Sequence, residues 1–310
     1  MSLLAMVIFV LFPMSASALE TDNYLSWQVE LQDSSPIIND FMLEKINATL
    51  PLQQGKSCLQ VTDAIAKNFA SFLVHDDPIS QYLLTRLNSD EMYPATIHHV
   101  PSSIYRDPFR FYIPQFGLAP NIQVGGFYFG MDKLSHFAAT GKHYFDTYMR
   151  TLRQGKSQHE AFTAAVAYGL KEENTVYGYW ASGVFSYADL EADYQGLRFY
   201  QALCQNDLEQ SPDGSWRLKS NPDIRDYVNA HWDETFNPNY LLVGNWNKVK
   251  KFIQQDYCSL RNSVRIQERF AAYQRSPISQ SVEYLKTLRE TTNRWVPNPL
   301  LDQSVEKLCR

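Results

Sequence analysis

At 310 residues, 45% hydrophobic and 20% charged, the chain has the composition of a folded globular protein, not of a disordered or fibrous one. A formal net charge of −5 offers no basic face, so nucleic acid is not an expected partner. Aromatic residues reach 14%, with 19 Tyr and 18 Phe, enough to build a large core.

The N-terminus reads MSLLAMVIFVLFPMSASALE. An apolar run from Leu3 to Phe12 precedes Pro13 and then Ala16, Ser17 and Ala18. That is the pattern of a secretory signal peptide over residues 1–18, cut after Ala18. The run is well short of the roughly 20 residues that span a bilayer. Its leading segment carries no Lys or Arg, so only the amino terminus supplies positive charge there. No Cys follows the cleavage site, which argues against a lipoprotein. The expected location is the periplasm of a bacterial envelope. Cys58, Cys204, Cys258 and Cys309 make an even set, and in an exported chain they predict two disulfides with three pairings open. None forms a CxxC pair, so thiolate zinc binding is not expected.

The remainder, residues 19–310, reads as a single, mainly α-helical domain. Apolar spacing predicts helices over Ser57–His75 and Pro78–Leu87. From Tyr93 to Phe129 the chain is rich in Pro, Gly and aromatics, which predicts an irregular segment, with room for one hairpin, packed on a helical bundle. Three strong helices follow. The first spans about Asp132–Gln154 and stops at Gly155. The second opens at Ser157, where Ser157 and Glu160 make a capping box, and its apolar residues on nearly every side predict a buried central helix. The third opens at Ser186 and runs to about Cys204. Amphipathic helices are expected over Trp246–Gln255, Val264–Gln274 and Ser279–Thr291.

Chemistry-bearing residues gather on the three strong helices. Asp132 and His136 lie one turn apart, and His143 returns to nearly the same stripe. Glu172 and Glu173 end the second helix, and Asp189 and Asp193 are one turn apart on the third. Short connections make successive helices antiparallel and bring these ends to one side. His136 is then expected within bonding distance of at least one of Glu172, Glu173, Asp189 and Asp193. Charged residues on faces that must pack are costly unless paired or metal-bound, and facing helices are where bundle proteins build metal sites. The candidate ligands of a divalent metal are Asp132, His136, Glu172, Asp189 and Asp193. The candidate catalytic residues are His136, Glu172 and Asp189. The plain alternative is structural: Asp132 capping its helix, His136 paired in the core, and the glutamates solvated. There is no HExxH and no G-x-S-x-G elbow.

DKLSHF at Asp132–Phe137, GLKEENTVYG at Gly169–Gly178 and SYADLEADYQG at Ser186–Gly196 together resemble the YfiM-like family of uncharacterised bacterial envelope proteins. The first segment also has a weaker likeness to VanZ-like membrane proteins. The resemblance covers residues 130–196 and implies an envelope location and a site at these motifs, without naming a reaction. Unlike the small predicted lipoprotein of that family, this chain has no lipobox Cys and carries long flanks.

Two functional readings follow. In one, the protein is a metal-dependent hydrolase of an envelope lipid, phosphoryl or glycan substrate. A metal-bound water would be the nucleophile and a spare carboxylate the base. Tyr177, Tyr179, Trp180 and Phe185 would hold the lipid or sugar. Lys133 and Lys171 would touch an anionic group, although both read more simply as solvated helix lysines. In the other, a non-catalytic envelope protein binds a lipid, glycan or protein partner, and the polar cluster only fastens the helices.

Overall fold

The computed structural model describes residues 20–69, 78–94, 101–107, 117–175, 178–179, 183–292, 297 and 303–310. The expected signal peptide, Tyr177 and Trp180 lie outside the described residues.

The fold is mainly helical. Helix α1, Ser35–Thr49, has Pro36 in its first turn, where a missing N–H costs nothing, and buries Ile38, Phe41, Met42 and Ile46 at helical spacing. None of the expected helices covers it. Helices α2 (Cys58–Phe69) and α3 (Pro78–Leu84) follow. Helix α4, residues 132–153, has three parts: Asp132–Ser135, a wide π-helical turn His136–Thr140, and Gly141–Arg153. Helix α5 (Gln158–Glu173) starts on the expected capping box, with Ser157 and Glu160 bonding reciprocally. Helix α6 (Tyr187–Ala202) starts on Ser186, whose side chain accepts from the Asp189 N–H. The longer C-terminal helices are α7 (Val243–Asp256), α8 (Val264–Tyr273) and α9 (Gln280–Thr291).

One expectation is corrected. The buried central helix is α6, which is buried over nearly its whole length. Helix α5 buries one face: Ala161, Ala165, Gly169 and Glu173 spaced at i+4, with Val166 and Leu170 beside them. Its alanines make it apolar on many sides, but small side chains tolerate solvent and do not fix which helix is enclosed.

The strands are few and short. Strands β1 (Met92–Tyr93), β2 (Asn121–Val124) and β3 (Phe127–Gly130) form an antiparallel sheet in that order. The β2–β3 hairpin pairs Val124 with Phe127, and its turn residues Gly125 and Gly126 have φ of 58° and 91°. A two-residue turn with both φ positive matches the twist of the strands, and glycine enters it without strain. This is the hairpin anticipated in the irregular segment. Strand β4 (Val184–Phe185), just ahead of α6, pairs with β7 (Tyr240–Leu241) and draws the Trp232–Tyr240 segment towards the α6 N-terminus. Strands β5 (Leu208–Gln210) and β6 (Trp216–Leu218) make a separate hairpin.

Among the described residues, two apolar clusters form the interior. The larger gathers α1–α6 and α9, and the smaller gathers the 3-10 turn Asn23–Gln28 with α7 and α8. Both expected disulfides are present. Cys58–Cys204 ties the start of α2 to the end of α6, and Cys258–Cys309 closes the C-terminal flank on itself. Among the described residues no helix is long and apolar enough to cross a membrane.

Candidate functional site

The starts of α4 and α6 and the end of α5 converge, as antiparallel packing requires. Helices α4 and α6 cross on glycine: a Cβ on Gly141 would sit 2.6 Å from the Gly196 Cα, and one on Gly196 would sit 2.0 Å from the Phe137 carbonyl oxygen. Such a close approach sets the π turn, and with it His136, directly over α6.

Lys133 is the centre of the site. Its side chain is 0% exposed. Its Nζ lies 2.8 Å from Asp132 Oδ2, 2.6 Å from Asp189 Oδ1 and 2.7 Å from Glu234 Oε1. Burial alone would discharge this ammonium; the three carboxylates outweigh that and hold its pKa well above the usual lysine value. Thr21 donates to the other Asp132 oxygen at 2.5 Å, and Ser186 Oγ donates to Glu234 Oε1 at 3.2 Å.

His136 is held between two carboxylates. Its Nδ1 is 3.1 Å from Asp193 Oδ1 and its Nε2 is 3.4 Å from Asp189 Oδ2. Burial lowers its basicity, but Asp189 and Asp193 prevail and raise its pKa to about 10. The ring is therefore held as an imidazolium, with Nδ1–H donating to Asp193 and Nε2 within ion-pair distance of Asp189. The expected proximity of His136 to these carboxylates is met.

The remaining acids show the strain of the arrangement. Burial raises Asp193 to about 6 against the pull of His136, and raises Glu234 to about 7 against the pull of Lys133. Burial and then the Asp189 charge push Glu173 well above the usual range, although it accepts from the Ser186 N–H at 2.7 Å. Asp189 is also penalised by burial, yet His136 and Lys133 keep it below its ordinary value. Glu191, two residues along α6, is the contrast. It is buried but accepts from Ser279, Ser281, Gln195 and Asn229 hydroxyls and amides at 2.6–3.1 Å, with no charge partner needed.

Asp132, His136, Asp189 and Asp193 thus belong to one cluster. Glu172, expected as both catalytic residue and ligand, does not join it. It is half-buried, and its charge acts on His143, whose ring packs against Tyr168. Glu173 takes its place because the buried α5 stripe ends there. Lys133 is not the solvated lysine expected, whereas Lys171 is exposed. Of the expected aromatic platform, Phe185 is fully buried and Tyr179 is half-buried. Glu234 was missed altogether: it lies in a turn segment, HWDETFNPNY, with no periodicity to mark its direction.

The oxygens of Asp132, Asp189 and Glu234 lie within 4.8 Å of one another, close enough to share a metal ion. The Lys133 ammonium already stands among all three, so a metal at that point has to displace it. Both His136 nitrogens face carboxylates, so a metal bound there has to separate one pair. Comparison with known protein families, with curated proteins and with solved structures returned no match.

Proposed function

We propose that this cluster is the hydrolytic centre of an extracytoplasmic enzyme acting on a phosphoryl or acyl substrate of the bacterial envelope. The observation that carries the reading is a surplus of acidic groups. Five buried carboxylates, Asp132, Glu173, Asp189, Asp193 and Glu234, face two cationic groups, Lys133 and His136. A cluster that only fastens helices gains nothing from such excess; a site awaiting protons, a cation or a substrate does. His136 and Asp189 form its outer edge, with side chains 14% and 11% exposed.

Asp193 and Glu234, with pKa values about 6 and about 7, suit general acid–base work near neutral pH. Lys133 supplies a fixed positive charge, and His136 a charged donor at the rim. A divalent cation binding beside Asp189, His136 and Asp193, or replacing Lys133 among Asp132, Asp189 and Glu234, would complete the balance and activate a water. The two disulfides and the expected signal peptide support an oxidising compartment, and the YfiM-like resemblance over residues 130–196 supports this location for the site.

Metal content of protein prepared without chelator, and melting with and without EDTA, test the cation. A screen of phosphoesters and acyl esters with His136→Ala as control tests the hydrolysis. Stoichiometric metal with a large EDTA shift supports a metal enzyme. Absence of any turnover that His136→Ala abolishes refutes the hydrolytic reading. A second reading, a non-catalytic envelope protein in which the cluster only fastens the helices, is favoured by the complete enclosure of Lys133. In that case His136→Ala lowers stability and nothing else.

A further inference from the structure

The residues directly behind the expected cleavage site are built into the cluster. Thr21, Asp22 and Asn23 are buried as deeply as the apolar core. Polar residues reach such depth only where their groups find partners. Asn23 Nδ2 donates to Asn121 Oδ1 at 2.7 Å, and Asn121 Nδ2 donates to the Asp22 carbonyl at 2.9 Å. The Ala119 N–H donates to the Glu20 carbonyl at 3.0 Å, and the Glu234 N–H donates to Asn23 Oδ1 at 3.3 Å. The segment is thus clamped to β2 on one side and to the Glu234 turn on the other, and the clamp carries Thr21 onto Asp132.

The two oxygens of Asp132 have different donors. Oδ2 accepts from Lys133 at 2.8 Å, and Oδ1 accepts from the Thr21 hydroxyl at 2.5 Å. A carboxylate gripped at both oxygens from different parts of the chain cannot turn. Gly130 shows how closely this pin is fitted. A Cβ there would lie 1.8 Å from Thr21 Oγ1 and 2.2 Å from Asp132 Oδ1, so glycine leaves the room the bond needs. Asn121 faces Gly130 in the β2–β3 register, so clamp and pin meet at one point of the sheet. Asp189 is held otherwise. Its Oδ1 faces Lys133, while its Oδ2 faces His136 on the partly exposed edge. We propose that Thr21 is a positioning residue whose hydroxyl fixes Asp132 as the permanent counter-ion of Lys133, which leaves the reacting edge to Asp189, His136 and Asp193. The chemistry of that edge rests on the hydrolytic reading; the pin does not.

The test uses the mature chain in EDTA and reads the Lys133 ammonium by proton–nitrogen NMR, assigned through its side-chain carbons. A fully buried ammonium among three carboxylates is protected from exchange with solvent. Thr21→Val replaces the hydroxyl by a methyl of similar shape. A hydrogen bond to a charged group is worth about tenfold or more in a local opening equilibrium, so the Lys133 ammonium protons should exchange about tenfold faster and their resonance should shift. Thr21→Ser keeps the hydroxyl and should return both to the parent values. In the parent protein the Thr21 hydroxyl proton should itself be protected and show a nuclear Overhauser contact to Asp132, a measurement that stands even if Thr21→Val does not fold. If Thr21 only satisfies a buried oxygen, Thr21→Val melts lower and the Lys133 signal stays where it was. That result, a Thr21→Ser protein that behaves like Thr21→Val, or a Thr21 hydroxyl proton in rapid exchange overturns the proposal. None of these signals depends on turnover, so they separate a failed pin from a failed hydrolase.

Discussion

Lys133→Met is the sharpest perturbation of the site. Methionine keeps the length of the side chain and removes the charge, leaving Asp132, Asp189 and Glu234 with oxygens within 4.8 Å of one another and no cation between them. Removing one member of a buried ion pair typically costs about 3–5 kcal/mol, and here one ammonium serves three carboxylates, so the loss belongs at the upper end. For a chain of this size each kcal/mol is worth about 2 °C, so the variant should melt about 10 °C lower at pH 8 in EDTA. The deficit should shrink at pH 5, where Glu234 and Asp193, with pKa values about 7 and about 6, carry protons. The vacated centre also has the oxygen ligands of a divalent ion, so calcium or manganese should raise the melting temperature of the variant more than that of the parent. Melting within about 1 °C of the parent at pH 8, with no response to either ion, would show that Lys133 is not the centre of the cluster.

Folding raises the His136 pKa from 6.5 to about 10, so its contribution is complete below 6.5 and disappears as pH climbs to about 10. Asp193, raised from 3.8 to about 6, and Glu234, raised from 4.5 to about 7, likewise lose their contributions as pH rises through those windows. The melting temperature should therefore decline from pH 6.5 to 10, and a scan of His136→Gln that keeps the same decline would contradict the assignment. Glu173→Gln should raise stability at neutral pH by about 1 kcal/mol, because an amide oxygen still accepts from Ser186 while folding no longer has to keep a buried carboxyl protonated; Glu172→Gln should leave the melting curve in place. Reduction should be costly: loops of 146 and 51 residues correspond to about 5 and about 4 kcal/mol of closure entropy. A reduced protein that melts like the oxidised one would remove the disulfides from the stability argument.

What could be read from the sequence followed from local chemistry. The Ser157–Glu160 box and the Ser186 cap fix where α5 and α6 begin, because a cap is a contact between residues three apart. The short connection into α5 and the longer but compatible one into α6 then bring Asp132, His136, Asp189 and Asp193 together. Azimuth was harder. Glu172 and Glu173 differ by about 100° around α5, and only packing against α4 and α6 decides which of them enters the site. Lys133 looks like any helix lysine until the partners that enclose it are known. One of those partners, Glu234, sits 101 residues away in a turn with no period. The π turn left no mark either, since it is set by the glycine crossing and not by propensity.

That crossing gives the last prediction. Gly196 has ordinary helical backbone, so alanine there would be favoured by helix propensity by about 1 kcal/mol if nothing faced it. What faces it is backbone: the added Cβ would lie 2.0 Å from the Phe137 carbonyl oxygen and 2.9 Å from the Gly141 Cα. Neither atom belongs to a flexible side chain, so α4 has to move as a unit. Overpacking of this kind costs about 1–3 kcal/mol, outweighing the propensity gain. The movement has a direction. It lifts the π turn away from α6 and lengthens the His136–Asp193 contact, now 3.1 Å. Gly196→Ala should therefore melt lower and also lower the His136 pKa, read from the imidazole proton shifts across pH 6–11. Gly155→Ala is the control. Its φ of +77° makes alanine strained, but nothing lies within 4 Å of the new Cβ. It should cost about 1 kcal/mol and leave His136 untouched. If both variants lose stability and His136 titrates alike in each, the glycine contact does not position the site.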